Sequence, residues 1–366
     1  MNIKISRETL LKPLTEVNGI VERKHTLPIL SNIMLEAKNN TLVLTATDLE
    51  IQISSQIESS NANNFSITVS ARKLLDICRA LPEGSELDLS GTETRVTVKT
   101  GKSKFNLQAL PSADFPLINR SETTASKFVI EQNKFKALLR QVEFSMAQQD
   151  IRYYLNGLLL EIKDGKLNLV GTDGHRLSFT STTLNAAATN QEVILPRKTA
   201  IELIKLLNDS DEELAIEFAN NQVSFEFSSI KIISKIIDGK FPDYSRVIPQ
   251  GHQNKFETDR LGILLAMQRA SILSNEKYRG IRMVLSTNNI KMISTNSEQE
   301  DAEEELELNY SGDSLDIGFN VTYLIDVLNN IQNDKVEFSF ADANSSCLVT
   351  IPGNSDYKYV VMPMRI

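Results

Sequence analysis

The sequence has little of what catalysis or secretion would require. Its two cysteines, Cys78 and Cys347, lie far apart in no pairing motif. That excludes a disulfide framework, and Cys78 falls in an apolar helical pattern as a reduced core thiol. Only three histidines occur, His25, His175 and His252, and neither H-E-x-x-H nor paired C-x-x-C is present. The recognised zinc-ligand spacings are therefore missing, and no metal or other cofactor is expected. No G-x-G-x-x-G follows an apolar run. The Gly101-Lys102-Ser103 triplet lacks the upstream glycine of a phosphate loop, since position 96 is Val96, and it lies between strand-like runs. No run reaches the roughly 18 apolar residues of a membrane span, and the opening MNIKISRETLL lacks the apolar centre of a signal peptide. A cytoplasmic protein with no membrane partner is the expectation.

What is present is an ordinary globular composition over 366 residues, 41% hydrophobic and 23% charged, which sets a prior of two or three domains. Internal repetition decides between them. Residues 171–177 read GTDGHRL, a small polar turn that interrupts an apolar run. A relative stands earlier at Thr45-Ala46-Thr47-Asp48-Leu49-Glu50, and a fainter one later at Ile293-Ser294-Thr295-Asn296-Ser297-Glu298. Asp48 to Asp173 is 125 positions and Asp173 to Asn296 is 123. So constant an offset means three copies of one domain, expected at 1–120, 121–247 and 248–366.

Each copy divides into two similar halves, each with a helix and several strands. Apolar residues at three- and four-residue spacing predict first-half helices carrying Leu10, Leu11, Leu14 and Val17, then Phe135, Leu138, Leu139 and Val142, then Leu261, Leu264 and Leu265. Second-half helices are expected over 71–81, 196–208 and 320–333, the second with Pro196 in its first turn. Alternating runs predict strands joined by hairpin turns at Asn39-Asn40, Asp164-Gly165 and Asn288-Asn289. Two helices and about eight strands, three times over, is an α+β plan.

Asp173 and His175 are the one pair that acid–base chemistry could use, but no nucleophile or metal ligand is tied to them by spacing. A turn aspartate beside a surface histidine is the plainer reading. The acidic run 298–307 lacks the glycine-bearing loop of a calcium site and reads as a solvated or interface strand. Charge is unevenly spread. The six helical segments together carry +5, whereas the chain carries −8, leaving −13 for the remainder. Helices gathered on one surface would make a weakly basic wall on an acidic body, suited to loose phosphate contact.

At this point the motifs converge on a family. Thr26-Leu27-Pro28-Ile29-Leu30, Asp150-Ile151-Arg152-Tyr153-Tyr154-Leu155-Asn156-Gly157, the GTDGHRL turn, Phe241-Pro242-Asp243-Tyr244, Ile272-Leu273-Ser274-Asn275-Glu276-Lys277, Gly318-Phe319-Asn320-Val321 and the terminal 359–366 resemble the bacterial DNA polymerase III beta subunit, the replicative sliding clamp, over essentially the whole chain.

The resemblance implies a head-to-tail homodimer closing a six-domain ring, helices inside and sheets outside, around duplex DNA held without sequence specificity. It implies no catalytic site. It assigns DNA contact to Lys24, Arg72, Gln149, Tyr153 and Tyr154, with Lys24-His25 standing where the family has Arg-Pro. It assigns a partner-peptide pocket between the central and C-terminal domains to Arg152, Leu155, Thr172, Gly174, His175, Arg176, Leu177, Pro242, Arg246, Val247, Asn320, Tyr323, Ser346, Val360, Val361, Met362, Pro363, Met364 and Arg365. Its implied subunit contact sets Lys73, Lys102, Lys104, Phe105 and Leu107 against Ile272, Leu273, Glu298, Glu300, Glu303 and Glu304. The implied partners are the replicative polymerase's catalytic subunit, the clamp loader, and other polymerases and repair proteins bearing short peptide motifs. The alternatives are a protein-binding repeat scaffold without DNA contact and a hydrolase or transferase using Asp173 and His175.

Overall fold

The computed structural model describes residues 2–22, 27–59, 64–119, 124–184 and 189–365. Among these lie six α-helices and 24 strands, eight strands to each expected copy. The helices are α1 (Arg7–Val17), α2 (Ala71–Ala80), α3 (Gln132–Val142), α4 (Arg197–Leu206), α5 (Arg260–Ala270) and α6 (Val321–Asn330). Four begin on side-chain caps of the expected type: Ser6, Ser70, Asp259 and Asn320 each accept a backbone N–H from the first turn. Pro196 is not inside α4. It ends the strand Gln191–Pro196, and the helix starts one residue later. α6 stops at Asn330 because Ile331 is already extended (φ −86°, ψ 133°). The first two hairpins turn where expected, with Asn39, Asn40, Asp164 and Gly165 at positive φ. In the third only Asn288 has positive φ, and Asn289 already opens the next strand. Asparagine tolerates the left-handed region that other side chains avoid, so it marks the turn more reliably than the pair does.

Contacts group the chain into two compact units, residues 1–136 with 201–236 and residues 137–200 with 237–366. The first contains one antiparallel twelve-stranded sheet. The first and second copies are joined in it where Ile51–Glu58 pairs with Ile230–Lys235 and sets Ile53 opposite Ile232. α1 buries Leu10, Leu14 and Val17, and α2 buries Leu74, Leu75 and Cys78. Burial pushes the Cys78 thiol up to about 11, so it stays protonated as a core residue.

The second unit contains an eight-stranded and a four-stranded antiparallel sheet. Its own junction pairs Arg176–Thr183 with Asn354–Val361. The four-stranded sheet ends on Asp301–Glu307, whose exposed and half-buried residues alternate.

The repeat predicted from sequence is reproduced in hydrogen bonds. In the first copy, Thr47 Oγ1 donates to the Ile51 carbonyl and accepts from Leu49 N–H. Asp48 Oδ1 accepts from Glu50 N–H at 2.9 Å and Ile51 N–H at 2.8 Å. In the second, Thr172 does the same with Arg176 and Gly174, and Asp173 Oδ1 accepts from His175 N–H at 2.9 Å and Arg176 N–H at 3.0 Å. In the third, Asn296 Oδ1 accepts from Glu298 and Glu300 N–H groups in a turn one residue longer. A short side chain that bonds its own backbone two residues on is what specifies such a turn.

Candidate functional site

The first two turns are built alike, yet a cleft described in the second unit lies beside the second turn. The difference begins at one position. The turn needs positive φ at its third residue, which is Leu49 (φ +79°) in the first copy and Gly174 (φ +88°) in the second. Glycine takes that conformation without strain and leaves room above the turn. A Cβ on Gly174 would lie 2.8 Å from Arg152 Nη1. The guanidinium of Arg152 therefore lies across the bare turn, donating to the Asp173 carbonyl at 3.1 Å and pairing with Asp150 at 2.8 Å. That pairing holds the Asp150 carboxyl down at about 2.

The cleft, about 190 Å³, is lined by Arg152, Tyr154, Leu155, Thr172, Gly174, His175, Arg176, Leu177, Phe241, Pro242, Tyr244, Val247, Val360 and Met362. Four segments contribute: the turn and the strand it opens, the 152–155 loop, the stretch after Ile237, and the end of the last strand. The junction brings the outer two together, since Leu177 pairs with Val360 and the Met362 N–H donates to the His175 carbonyl at 2.9 Å. Aliphatic, aromatic and thioether groups form most of the wall, an adaptable surface for an apolar ligand with a few polar groups at its edges.

Arg176 forms part of that wall, but its guanidinium is already bound. Nε donates to Asp173 at 3.1 Å, Nη1 to Asp326 at 2.6 Å and Nη2 to the Phe144 carbonyl at 2.6 Å, while its Cζ lies 4.5 Å from the centre of the Tyr323 ring. Burial alone would lower its pKa; the Tyr359 oxygen and the carboxylates of Asp326 and Asp173 more than offset this and raise it, so the charge is permanent. Asp173 has both carboxylate oxygens engaged, one by turn N–H groups and one by Arg176. It is not placed as an acid or base for His175.

The other expected pocket residues have different surroundings. Asn320 caps α6, Tyr323 stacks on Arg176, and Val361 is fully buried. Arg246 projects into solvent and pairs with Asp243 at 2.9 Å. The Met364 N–H donates to the Gly318 carbonyl at 2.8 Å. Ser346, Pro363 and Arg365 are outside the cleft lining. Three lining residues were absent from the sequence-based pocket. Phe241 and Tyr244 stand in the sequence only within the Phe241-Pro242-Asp243-Tyr244 motif of the family resemblance, which assigns Tyr154 to DNA contact.

Of the residues expected at DNA, Lys24 lies outside the described residues. Arg72 is exposed on α2 and 3.6 Å from Asp76. Gln149 has positive φ (57°) and begins a loop fastened at its neck by two Asp150–Asn156 hydrogen bonds of 2.9 Å. That loop leaves Ile151 and Tyr153 exposed and turns Tyr154 into the cleft. Two of the helix cations are engaged inside the protein. Lys136 is buried against Asp209 at 3.0 Å, and Arg197 donates to the Glu143 and Met146 carbonyls. Neither offers a free cation at a helix surface.

Of the expected subunit contacts, Lys73, Lys102, Lys104, Ile272, Glu298, Glu300 and Glu303 are exposed, and Phe105, Leu273 and Glu304 are half-buried. Leu107 is buried in its own chain. Glu304 is held by Arg269 at 2.6 Å and Glu303 by Lys291 at 2.8 Å. The Gly101-Lys102 pair forms a hairpin turn between Arg95–Thr100 and Ser103–Leu110, with no helix behind it.

Three matches cover the chain in order. Residues 1–119 match the DNA polymerase III beta subunit N-terminal domain, 129–243 its central domain and 245–365 its C-terminal domain. The chain belongs to the DNA polymerase III beta subunit family. The beta sliding clamp of Pseudomonas aeruginosa is 46% identical over 370 residues and that of Escherichia coli K12 41% over 367, each match covering 100% of both chains. The crystal structure of the P. aeruginosa DNA polymerase sliding clamp with ligand has a TM-score of 0.97 to this chain at 45% identity, with full coverage of both. Another P. aeruginosa clamp structure, also at 0.97, is bound to griselimycin. The three-part α+β plan is thus that of the beta subunit family. Among the described residues no helix is long and apolar enough to cross a membrane, and no three His, Cys, Asp or Glu side chains gather to hold a metal.

Proposed function

We propose that this protein is a sliding clamp. Two copies join head to tail around duplex DNA in the cytoplasm, and the cleft beside Gly174 takes peptide motifs of the replicative polymerase, the clamp loader and other DNA-processing proteins. The domains of this reading are 1–120, 121–247 and 248–366. The clamp moves along DNA without bond-making chemistry, and Arg72, Gln149 and Tyr153, with Lys24, contact phosphates rather than bases, while Tyr154 serves the cleft.

One observation carries the ring: the strand edges that remain. Each junction inside the chain joins the last strand of one copy's first half to the last strand of the following copy's second half. Ile51–Glu58 takes Ile230–Lys235, and Arg176–Thr183 takes Asn354–Val361. The same rule leaves Asp301–Glu307 of the third copy for residues 103–108 of the first, whose strand meets Phe65–Ser70 only at Ala109 and Leu110, and this reading assigns that pairing to a second chain. An unpaired edge is a template for another strand, and the two-fold repetition of that contact closes the assembly.

The register follows from the repeat. Asp48 N–H donates to the Ile51 carbonyl and Asn296 N–H to that of Glu300, so Glu300 holds the place of Ile51. The hairpins Thr100↔Ser103 and Phe227↔Ile230 give Leu107 the place of Ser234, the partner of Ile51. Glu300 then faces Leu107, Glu303 faces Lys104 and Glu305 faces Lys102. Opposite charges directly across a ladder favour one register and oppose its one-residue slip. Exposed Ile272 adds apolar area at its edge. Griselimycin, which the P. aeruginosa clamp binds, is expected to occupy the cleft of this chain. Sedimentation equilibrium tests the assembly: a species of twice the 41.0 kDa chain mass is expected, and a monomer at every concentration would refute it.

A further inference from the structure

Tyr244 lines the cleft, yet the groups that fix it lie on a face of the eight-stranded sheet outside it. Glu161, Asn168 and Ser181 occupy one row across three adjacent strands, Glu161 pairing with Asn168 and Asn168 with Ser181. Side chains directly opposite in a ladder share a face, and here they form a directed chain. Ser181 Oγ donates to Asn168 Oδ1 at 2.7 Å, and Asn168 Nδ2 donates to Glu161 Oε2 at 2.9 Å. The same Glu161 oxygen accepts the Tyr244 hydroxyl at 2.6 Å. The ring of Tyr244 stacks on Phe179 with centres 5.6 Å apart and planes at 26°, and Lys358 Nζ lies 5.6 Å from the Phe179 ring centre. The ring is therefore fixed along both its plane and its axis.

What Tyr244 fixes in turn is the cleft wall. It opens the single turn Tyr244–Arg246, and its carbonyl accepts the N–H groups of Val247 at 3.1 Å and Ile248 at 3.3 Å. Val247 lines the cleft and is 37% exposed, with no strand or long helix of its own to place it. We infer that the Ser181–Asn168–Glu161 row is a positioning device for the partner-peptide cleft. It anchors the Tyr244 hydroxyl so that the Tyr244 ring and Val247 form a preformed wall, and Glu161 and Asn168 set affinity without touching the ligand. A preformed wall saves the ordering cost of the segment on binding. The inference rests on the cleft being the ligand site, so the experiment separates the two.

The probe is fluorescently labelled griselimycin, titrated against the full-length protein. Met362→Ala removes a lining side chain and is expected to weaken binding whatever fixes Tyr244. Tyr244→Phe removes one oxygen and keeps the ring; Glu161→Ala removes the acceptor. Each is expected to weaken binding about fivefold, the scale of one ordinary hydrogen bond. The double variant should be no weaker than either single one, because both break the same link. Glu161→Gln keeps an acceptor oxygen and should restore affinity to within about twofold, which a general loss of stability would not do. If Met362→Ala has no effect, the cleft is not the site and the functional reading fails. If Met362→Ala weakens binding while Tyr244→Phe does not, or if the Tyr244 and Glu161 effects multiply, the positioning role is overturned. Tyr244→Phe decides alone should Glu161→Ala lower the melting temperature.

Discussion

Arg176 donates to Asp326 at 2.6 Å, joining the turn beside the cleft to helix α6 across 150 positions of sequence. Only 10% of the arginine side chain is exposed, so loss of this partner leaves a charge short of compensation in a poorly solvated place. Asp326→Ala is expected to destabilise the protein by about 2 kcal/mol, the remaining Asp173 and Phe144 contacts limiting the loss. Arg246→Ala breaks the exposed pair with Asp243 and should cost under about 0.5 kcal/mol. Urea unfolding of both variants checks the contrast; equal effects would remove Arg176 from the framework of the site.

Gly174→Ala tests the turn. The substitution forces a side chain to φ +88° and places its Cβ against Arg152 Nη1. A loss of about 1 kcal/mol is expected from the left-handed conformation, together with weaker griselimycin binding as Arg152 is displaced. Leu49→Gly at the equivalent turn should stabilise or be neutral. Unfolding curves for both variants, with ligand titration of the first, decide the matter.

The Asp150–Arg152 pair gives the loop a pH signature. Hydrogen bonds from Arg152 lower the Asp150 carboxyl from 3.8 to about 2. Because the folded value is the lower one, the pair's contribution is complete above pH 3.8 and is lost as the pH falls through about 2. A carboxyl NMR titration should show this midpoint in the wild type and a return toward 3.8 in Arg152→Ala. An unchanged midpoint in the variant would mean the pair is not formed in solution.

Charge reversal tests the proposed subunit register. Lys104→Glu is expected to yield monomers by facing Glu303, and Lys104→Glu combined with Glu303→Lys to restore the dimer. Ile272→Ala with Leu273→Ala should also give monomers. Light scattering reads all three, and restoration by Glu305→Lys in place of Glu303→Lys would displace the register by two residues.

The fold was largely legible because the repeat is written in turn chemistry. Thr47-Asp48 and Thr172-Asp173 are short-range devices, readable without knowledge of distant residues, and the helices declare themselves by apolar spacing. The cleft was less legible. Its wall joins segments that lie almost two hundred positions apart, and nothing local in Phe241 or Tyr244 says which partner each will face. Arg176 is legible as a lining residue, but its bond to Asp326 is not, because that carboxylate lies 150 positions away in sequence. Counting helix charge failed similarly for Lys136 and Arg197, since amphipathic spacing places a residue on a face but does not reveal a carbonyl or carboxylate waiting beneath it.

A closed ring holds DNA by topology, and topology can be measured. Protein loaded onto nicked circular duplex should remain bound through gel filtration in high salt and be released when the circle is cut once. Release by salt from the uncut circle, or retention after cutting, would contradict it.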